Sequence, residues 1–197
     1  MTETKQTGDN WNPDIAAAVE TMRRGGVILY PTDTIWGLGC DAKNPEAIKK
    51  IYDIKQRLDS KALICLVGSM SMLDACVEEV PDVAEQLIEA SIDPITIVYD
   101  HGRNVAPNLL APDGSLGVRL TRERFSASLC RALRGPIVST SANLSGTPSP
   151  RSFSEISEEI LNAVDYICLS RRNEAPATKA SSVIKISRGG VFKILRK

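Results

Sequence analysis

The sequence predicts an α/β protein with one layered domain. Helical and extended patterns alternate along the chain, which is typical of helices packed on a sheet. The 197 residues suffice for one well-buried α/β domain, although two small domains also fit this length. The hydrophobic fraction of 43% is ordinary for a globular protein. No apolar run approaches the roughly 18 residues of a membrane span, so we expect a cytoplasmic protein.

The first predicted helix starts at Asn12-Pro13 and ends at Gly25-Gly26, because asparagine is a good N-cap and proline suits the first helical position. A strand over residues 27–31, a helix from Pro45 to about Lys55 and a buried strand over residues 62–67 follow. Residues 1–11 are polar and lack the apolar core of a secretory signal. We therefore expect a frayed tail at 1–11 and the domain at 12–197.

From residue 70 onward the sequence continues to alternate between predicted helices and strands. Helices are predicted over residues 70–76, 81–90 and 124–133, and strands over 95–99, 116–120 and 136–141. We expect a helix after Ser154 as its N-cap, then a strand over 166–169. A C-terminal hairpin over 182–186 and 191–195 turns on Gly189-Gly190.

The run from Ile137 to Gly146 places small polar side chains at the end of an apolar strand. In an extended chain, Ser139, Ser141 and Asn143 point to one face. This row predicts a cleft lined by short hydrogen-bonding groups. A Ser/Asn-rich turn after an ordinary strand is the alternative.

A basic segment, residues 48–61, lies earlier in the chain than the polar run 137–146. Between Ile48 and Lys61 there are five cations and two anions. Lys55 and Arg57 lie on one side of an extended chain but nearly opposite each other on a helix, so we expect the helix to end near Lys55. A solvated basic helix end that favours the helix dipole is the alternative.

Several kinds of site are disfavoured by the composition. The five cysteines form no Cys-x-x-Cys pair, which argues against a zinc site or a disulfide framework and indicates small core residues. The single histidine, His101, makes a Ser-His-Asp or Cys-His arrangement improbable. No P-loop sequence occurs, so ATP would be held in another way. Because the formal net charge is zero, attraction to nucleic acid would need a local patch.

Four motifs occur in the order and spacing of the YrdC-like family. They are Tyr30-Pro-Thr-Asp-Thr-Ile-Trp-Gly-Leu-Gly-Cys-Asp41, Lys55-x-Arg57-x-x-x-Lys61, Leu116-Gly-Val-Arg119 and Ser139-Thr-Ser-Ala-Asn-Leu-Ser-Gly146. The chain resembles this family over roughly residues 12–196. The resemblance implies a twisted, open mixed sheet flanked by helices, with a concave basic groove. Since the chain ends at Lys197, we expect the short, single-domain type of threonylcarbamoyl-AMP synthase.

The resemblance also implies a nucleotidyltransferase reaction. A carbamate formed from L-threonine and bicarbonate attacks the α-phosphorus of ATP and expels pyrophosphate. Partner enzymes then transfer the threonylcarbamoyl group to an adenosine of tRNA. Mg²⁺ is expected to arrive with ATP, without a dedicated protein site.

The family's functional residues carry over to matching positions of this sequence. Those for threonine are Thr34, Arg119, Ser139 and Ser181. Those for ATP are Arg57, Lys61, Ser115, Ser141, Ser149 and Arg196. The catalytic set is Lys55, Arg57, Ser141 and Asn143.

Some positions depart from the family pattern. Leu58 stands where many members have proline, and Leu66 where long-form members have a histidine near the substrate. Ser91-Ile-Asp-Pro94 replaces Trp-Pro-Gly-Pro, and Ser182 replaces threonine.

Two other functions remain open from the sequence. A non-enzymatic module that binds double-stranded RNA or tRNA would use the same basic groove, although a row of small hydroxyls suits a compact ligand better. A carbamoyl-transferring domain of the hydrogenase-maturation kind shares the fold but normally accompanies zinc-finger cysteines, which this sequence lacks.

Overall fold

The computed structural model describes residues 12–56, 63–174 and 180–196. The α-helices are α1 (Pro13–Arg23), α2 (Pro45–Ile54), α3 (Met70–Cys76), α4 (Asp82–Ala90), α5 (Arg124–Leu133) and α6 (Glu158–Ala163). The strands are β1 (Ile28–Tyr30), β2 (Gly37–Gly39), β3 (Ile64–Val67), β4 (Ile95–Tyr99), β5 (Leu116–Leu120), β6 (Ile137–Ser141), β7 (Tyr166–Ile167), β8 (Ser182–Ile186) and β9 (Phe192–Arg196). The tail predicted at 1–11 lies outside the described residues.

The described strands form one nine-stranded sheet in the order β7-β1-β2-β6-β3-β5-β4-β8-β9. The pairs β1–β7, β3–β5 and β4–β8 are parallel, and the other neighbours are antiparallel. The open mixed sheet flanked by helices is therefore confirmed. No helix in the described part of the chain is long and apolar enough to cross a membrane.

The period of two along each strand divides the core into two layers. In β3, Leu66 packs in one apolar cluster with α1 and α5, whereas Cys65 and Val67 pack in a second cluster that includes α2, α3 and α4. In β1, Tyr30 belongs to the first cluster and Leu29 to the second. The sheet thus lies between two helical layers, and all five cysteines are free and buried, as predicted.

Most helix ends follow the capping signals. The side chains of Asn12 and Asn44 accept hydrogen bonds from the first turns of α1 and α2. The helix predicted after Ser154 is wrong in its start, because residues 153–155 form a 3₁₀ turn and α6 is capped by Ser157. The C-terminal hairpin is confirmed, and both glycines of its turn have positive φ.

Strand β2 was not predicted, because Gly-Leu-Gly has low intrinsic preference for a strand. Packing explains the glycines. A Cβ on Gly39 would lie 2.6 Å from Cε1 of Tyr30 and 3.0 Å from the Val138 carbonyl. Tertiary contact therefore selects a sequence that local propensity disfavours.

Candidate active site

A cavity of about 240 Å³ opens on the sheet face that α1 and α5 cover only in part. The strand register explains its position. Leu66 pairs with Ile137 and packs under α5, whereas Ile64 and its partner Ser139 line the cavity. The same sheet face is thus apolar beneath the helices and polar beside them.

The cavity draws its walls from many parts of the chain. It is lined by Thr32, Thr34, Ile35, Trp36, Gly37, Leu63, Ile64, Arg119, Ser139, Thr140, Ser141, Ser149, Ala180, Ser181 and Arg196. Among these described residues the charged ones are two arginines, and no carboxylate lines the cavity. The arrangement suits an anionic compound with hydrogen-bonding groups.

The β1–β2 loop supplies the first wall. The Thr32 hydroxyl donates to the Ile35 carbonyl (2.7 Å) and accepts from the Thr34 N–H (3.1 Å). The Ser126 hydroxyl of α5 donates to the Pro31 carbonyl (3.1 Å). These bonds hold the Thr34 hydroxyl at the cavity.

Arg119 of β5 forms the positive centre. Arg119 is only 4% exposed. Its Nη1 donates to the Thr34 hydroxyl (3.2 Å), and its Nη2 lies 3.2 Å from Oδ1 of Asp33. Burial raises the pKa of Asp33, and the nearby guanidinium opposes this only in part. A buried guanidinium with fixed orientation is suited to bind a carboxylate or phosphate.

Strand β6 ends in the cavity with Ser139 and Ser141, but Asn143 does not continue the row. The Asn143 N–H donates to the Ser141 carbonyl (2.9 Å), so the chain turns directly after the strand. The Asn143 amide donates to the carbonyls of Leu144 (2.9 Å) and Thr147 (2.6 Å). The predicted row is therefore correct for the two serines and wrong for Asn143, because backbone turning replaces extended geometry.

A second cavity of about 340 Å³ lies beyond this turn. Asn143, Thr147 and Ser149 line it, and Ser149 also lines the first cavity. The two spaces thus share a wall at Ser149.

Lys55 has a different place from the one predicted. It is 2% exposed, and its Nζ donates to the carbonyls of Ser141 (2.6 Å) and Asn143 (2.7 Å). Its own carbonyl accepts from the Ser145 N–H (2.9 Å). The solvated helix end, given above as the alternative for this segment, is wrong for Lys55, because the turn after β6 presents carbonyl oxygens that bind its ammonium group.

Ser181 and Arg196 form the opposite wall. Arg196 donates from Nε (3.2 Å) and Nη2 (2.9 Å) to the Ser181 carbonyl. The hydroxyls of Ser181 and Thr96 are 2.9 Å apart. Arg196 thus contacts the cavity while it holds Ser181 in place.

The structure brings together seven of the predicted site residues at this cavity: Thr34, Arg119, Ser139, Ser141, Ser149, Ser181 and Arg196. Ser115 is not among the lining residues; it lies just before β5, where its N–H donates to Asp113 (3.0 Å). Arg57 and Lys61 lie outside the described residues. Leu66 is fully buried in the cluster under α5 and does not line the cavity.

Sequence reasoning did not single out several contributors to the site, among them Thr32, Trp36 and Asp33. Thr32 and Trp36 line the cavity, and Asp33 contacts Arg119. All three lie inside the motif from Tyr30 to Asp41, whose density of polar residues was the available signal. The Trp36 ring packs on Phe153, with 4.9 Å between centroids.

Comparison with known proteins agrees with this geometry. The model of the Sua5/YciO/YrdC family, described as telomere recombination, matches residues 20–197. A threonylcarbamoyl-AMP synthase from Stenotrophomonas maltophilia is 36% identical over 154 residues, covering 77% of this chain and 83% of that protein.

Two solved structures are also similar. E. coli YciO is 28% identical with a TM-score of 0.80, and the match covers 93% of this chain and 88% of that one. P. abyssi Sua5, complexed with L-threonine, is 28% identical with a TM-score of 0.75, covering 87% of this chain and 50% of that one. A family match over nearly the whole chain, with a relative above 30% identity, places this protein in the Sua5/YciO/YrdC family.

Proposed function

We propose that this chain is an L-threonylcarbamoyladenylate synthase, which makes threonylcarbamoyl-AMP and pyrophosphate from L-threonine, bicarbonate and ATP. The observation that carries the proposal is buried Arg119 beside the hydroxyl of Thr34, in a cavity that Ser139 and Ser181 also line. The name of the Stenotrophomonas maltophilia relative and the threonine complex of P. abyssi Sua5 support it.

The cavity suits the amino acid. Its volume of about 240 Å³ lies just below the roughly 300–1,000 Å³ typical of sites for drug-sized molecules, which suits a compound as small as an amino acid. The Arg119 guanidinium binds the threonine carboxylate, and the neighbouring hydroxyls accept or donate to the threonine hydroxyl and amine. ATP needs more room, so we place its phosphates from Ser141 toward Ser149 and the adjoining 340 Å³ cavity.

The reaction needs positioning more than acid-base chemistry. The threonine amine adds to bicarbonate and loses water to form a carbamate. A carbamate oxygen then forms a bond to the α-phosphorus while the bond to pyrophosphate breaks. The Ser141 hydroxyl at the strand end is placed to stabilise charge on the phosphoryl oxygens, and Lys55 keeps that strand end in position.

Mg²⁺ enters this proposal as a companion of ATP. Within the described ranges, no group of three His, Cys, Asp or Glu side chains could hold a metal ion. In this proposal phosphate oxygens and water supply most of the Mg²⁺ ligands, and the ion would neutralise phosphate charge when bound.

Downstream steps complete the proposal. The mixed anhydride product is an activated acyl donor, so partner enzymes must transfer its threonylcarbamoyl group to an adenosine of tRNA. We place this work in the cytoplasm. Direct contact of tRNA with this chain is not required by the chemistry at the cavity.

The first test is product formation. Protein incubated with ATP, L-threonine, bicarbonate and Mg²⁺ should release pyrophosphate, and mass spectrometry should find threonylcarbamoyl-AMP. Ser141→Ala should lower the rate by about 10²-fold if the hydroxyl stabilises the transition state. Ser145→Ala, at an exposed position of the same loop, is the matched control and should keep the wild-type rate.

Calorimetry tests the substrate. Threonine should bind more tightly than valine by at least ~1–3 kcal/mol, because a site that hydrogen-bonds a hydroxyl leaves polar groups unpaired with the isostere. Equal binding of the two amino acids would contradict the substrate assignment.

Duplex RNA binding is the competing outcome. An RNA-binding module sums many phosphate contacts, so its affinity falls with salt with a log-log slope near −0.9 per neutralised phosphate. Wild-type protein that binds duplex tightly at physiological salt, but releases no threonine-dependent pyrophosphate, would favour that function over the enzyme.

A further inference from the structure

Asp33 contacts the substrate-side arginine from outside the cavity. Although Asp33 is adjacent to Thr34 in the β1–β2 loop, it does not line the 240 Å³ cavity. It lines a separate space of about 140 Å³ together with Arg122 and Glu123. Arg119 therefore lines the cavity of the proposed amino-acid site and also contacts the Asp33 carboxylate, which lies outside that cavity.

Asp33 and Thr34 contact different nitrogens of the Arg119 guanidinium. Nη2 lies 3.2 Å from the Asp33 carboxylate, and Nη1 donates to the Thr34 hydroxyl at 3.2 Å. The Arg119 and Asp33 side chains are only 5% and 13% exposed. Two contacts from successive residues of one loop thus fix both the position and the plane of a buried guanidinium.

The ion pair between Arg119 and Asp33 is close, but it leaves some hydrogen-bonding atoms of both side chains unused. Neither Nε of Arg119 nor Oδ1 of Asp33 has a well-aligned hydrogen bond within the described structure. The two groups therefore do not form the bidentate fork that would use both edges of the guanidinium. Hydrogen-bonding capacity remains for a second carboxylate.

We propose that Asp33 is a positioning residue, which holds Arg119 so that its guanidinium receives the carboxylate of the amino-acid substrate. This inference rests on the proposed function. A buried cation without a partner is strongly unfavourable, so without Asp33 the arginine would turn toward water or another acceptor. Binding of a carboxylate by arginine depends on geometry, because the hydrogen bonds weaken when the donors are misaligned with the carboxylate oxygens.

Two variants of Asp33 distinguish the contribution of its contact with Arg119 from the contribution of its negative charge. Asp33→Ala removes the acceptor, whereas Asp33→Asn keeps an oxygen at the same place without the charge. We expect Asp33→Ala to weaken threonine binding by about 10- to 100-fold, because the guanidinium loses the charged contact that orients it. Asp33→Asn should recover a large part of this affinity, and it serves as the second variant if alanine prevents folding.

The readout must depend on the substrate carboxylate. L-threoninamide has the amine and hydroxyl of threonine but no carboxylate, so its binding should change little in either variant. In an Arg119→Ala background, Asp33→Ala should alter threonine affinity by no more than about twofold, since there is no guanidinium to position. Asp93→Ala removes another carboxylate of the 140 Å³ space and should leave threonine binding unchanged.

Calorimetry with wild type and variants gives separable outcomes. Wild-type protein that binds no threonine overturns the proposed function and this inference with it. If the wild type binds threonine but Asp33→Ala binds it equally well or more tightly, the positioning role alone is overturned. Equal losses for threonine and threoninamide would also overturn it, because they indicate general disruption of the loop.

Discussion

At the scale of single residues, neighbours in one motif have different tasks. Thr32 organises its loop, Asp33 contacts the arginine from outside the cavity, and Thr34 presents its hydroxyl to the cavity. All three are small and polar, so composition alone does not distinguish them. Their tasks follow from which way each side chain points when the loop closes between β1 and β2.

Lys55 shows the same effect for a charged residue. Its aliphatic part is buried, and its ammonium group binds the carbonyls of Ser141 and Asn143 at the turn after β6. This is a structural contact with a consequence for the site, because Ser141 belongs to that turn.

Replacement of Lys55 should therefore affect both stability and activity. Lys55→Met keeps the aliphatic volume but removes the ammonium donor from both carbonyls. The Ser141 carbonyl still accepts from the Asn143 N–H, so the cost of about 1–3 kcal/mol for an unsatisfied buried group applies to the Asn143 carbonyl. Urea unfolding should show the loss, and pyrophosphate release per folded molecule should fall as well.

The matched control is Lys49→Met in the same helix. Lys49 forms an i,i+4 ion pair with Asp53 at 2.7 Å, and both side chains are 63% exposed. Such pairs contribute about 0.3–0.5 kcal/mol, so little change is expected. If Lys55→Met were as stable and as active as this control, Lys55 would have no role in holding the strand end.

At the scale of elements, β2 is the clearest case of packing overriding propensity. Its two glycines let it approach β1 on one side and β6 on the other. The resulting β1–β2 hairpin carries the Thr32–Thr34 loop, so the position of the site depends on this close approach.

Gly39→Ala should destabilise the protein by about 1–3 kcal/mol, because the added methyl group meets Tyr30 at 2.6 Å and the core must shift. Gly135→Ala is the control, since its nearest neighbour would be the flexible end of Lys43 at 3.9 Å. Thermal unfolding of the two variants measures the difference. Equal melting temperatures would show that the sheet adjusts without cost at β2.

At the scale of the whole molecule, the cavity collects residues from position 32 to position 196. It therefore exists only when the sheet is complete. A second long-range connection is Asp14 of α1, whose carboxylate accepts from the N–H of Leu169 (2.9 Å), the N–H of Ser170 (2.8 Å) and the hydroxyls of Ser170 (2.6 Å) and Tyr166 (2.7 Å).

These bonds make Asp14 a source of pH-dependent stability. Burial raises the pKa of Asp14, but the hydrogen bonds from Ser170, Leu169 and Tyr166 together lower it below its ordinary value of 3.8. A carboxylate with a depressed pKa in the folded state stabilises above its unfolded pKa, and this contribution is lost as the pH falls through the folded pKa.

Asp14→Asn should therefore be less stable than the wild type by about 1–3 kcal/mol at pH 7, because charge-assisted hydrogen bonds are lost. The difference should shrink once the pH falls below the unfolded-state pKa of about 3.9, and it should be lost as the pH passes through the lower folded-state pKa, where the native carboxylate takes up its proton. Denaturant titrations between pH 2.5 and 7 measure it. A constant difference across this range would mean that charge is not what stabilises the contact.

The sequence by itself determined most of the helices and strands and part of the site's membership. Caps, glycine turns and the period of two identify nearly all helices and strands, because these signals act between residues close in the chain. The four ordered motifs, through the family resemblance that they carry, indicated seven residues that the fold does bring to one cavity.

Only the tertiary structure decided that residues 37–39 form strand β2 and that Lys55 is buried. It also decided that the chain turns at Asn143 after the two serines and that Asp33 contacts Arg119. It also set Ser115 away from the cavity walls. Lys55 meets its carbonyl partners 86 and 88 residues away, and strand β2 depends on the space that its neighbouring strands leave. The turn at Asn143 is local, and the sequence left it open as the alternative to the extended row. Hydrogen-bond acceptors and free volume arise when the sheet assembles, so local sequence does not contain them.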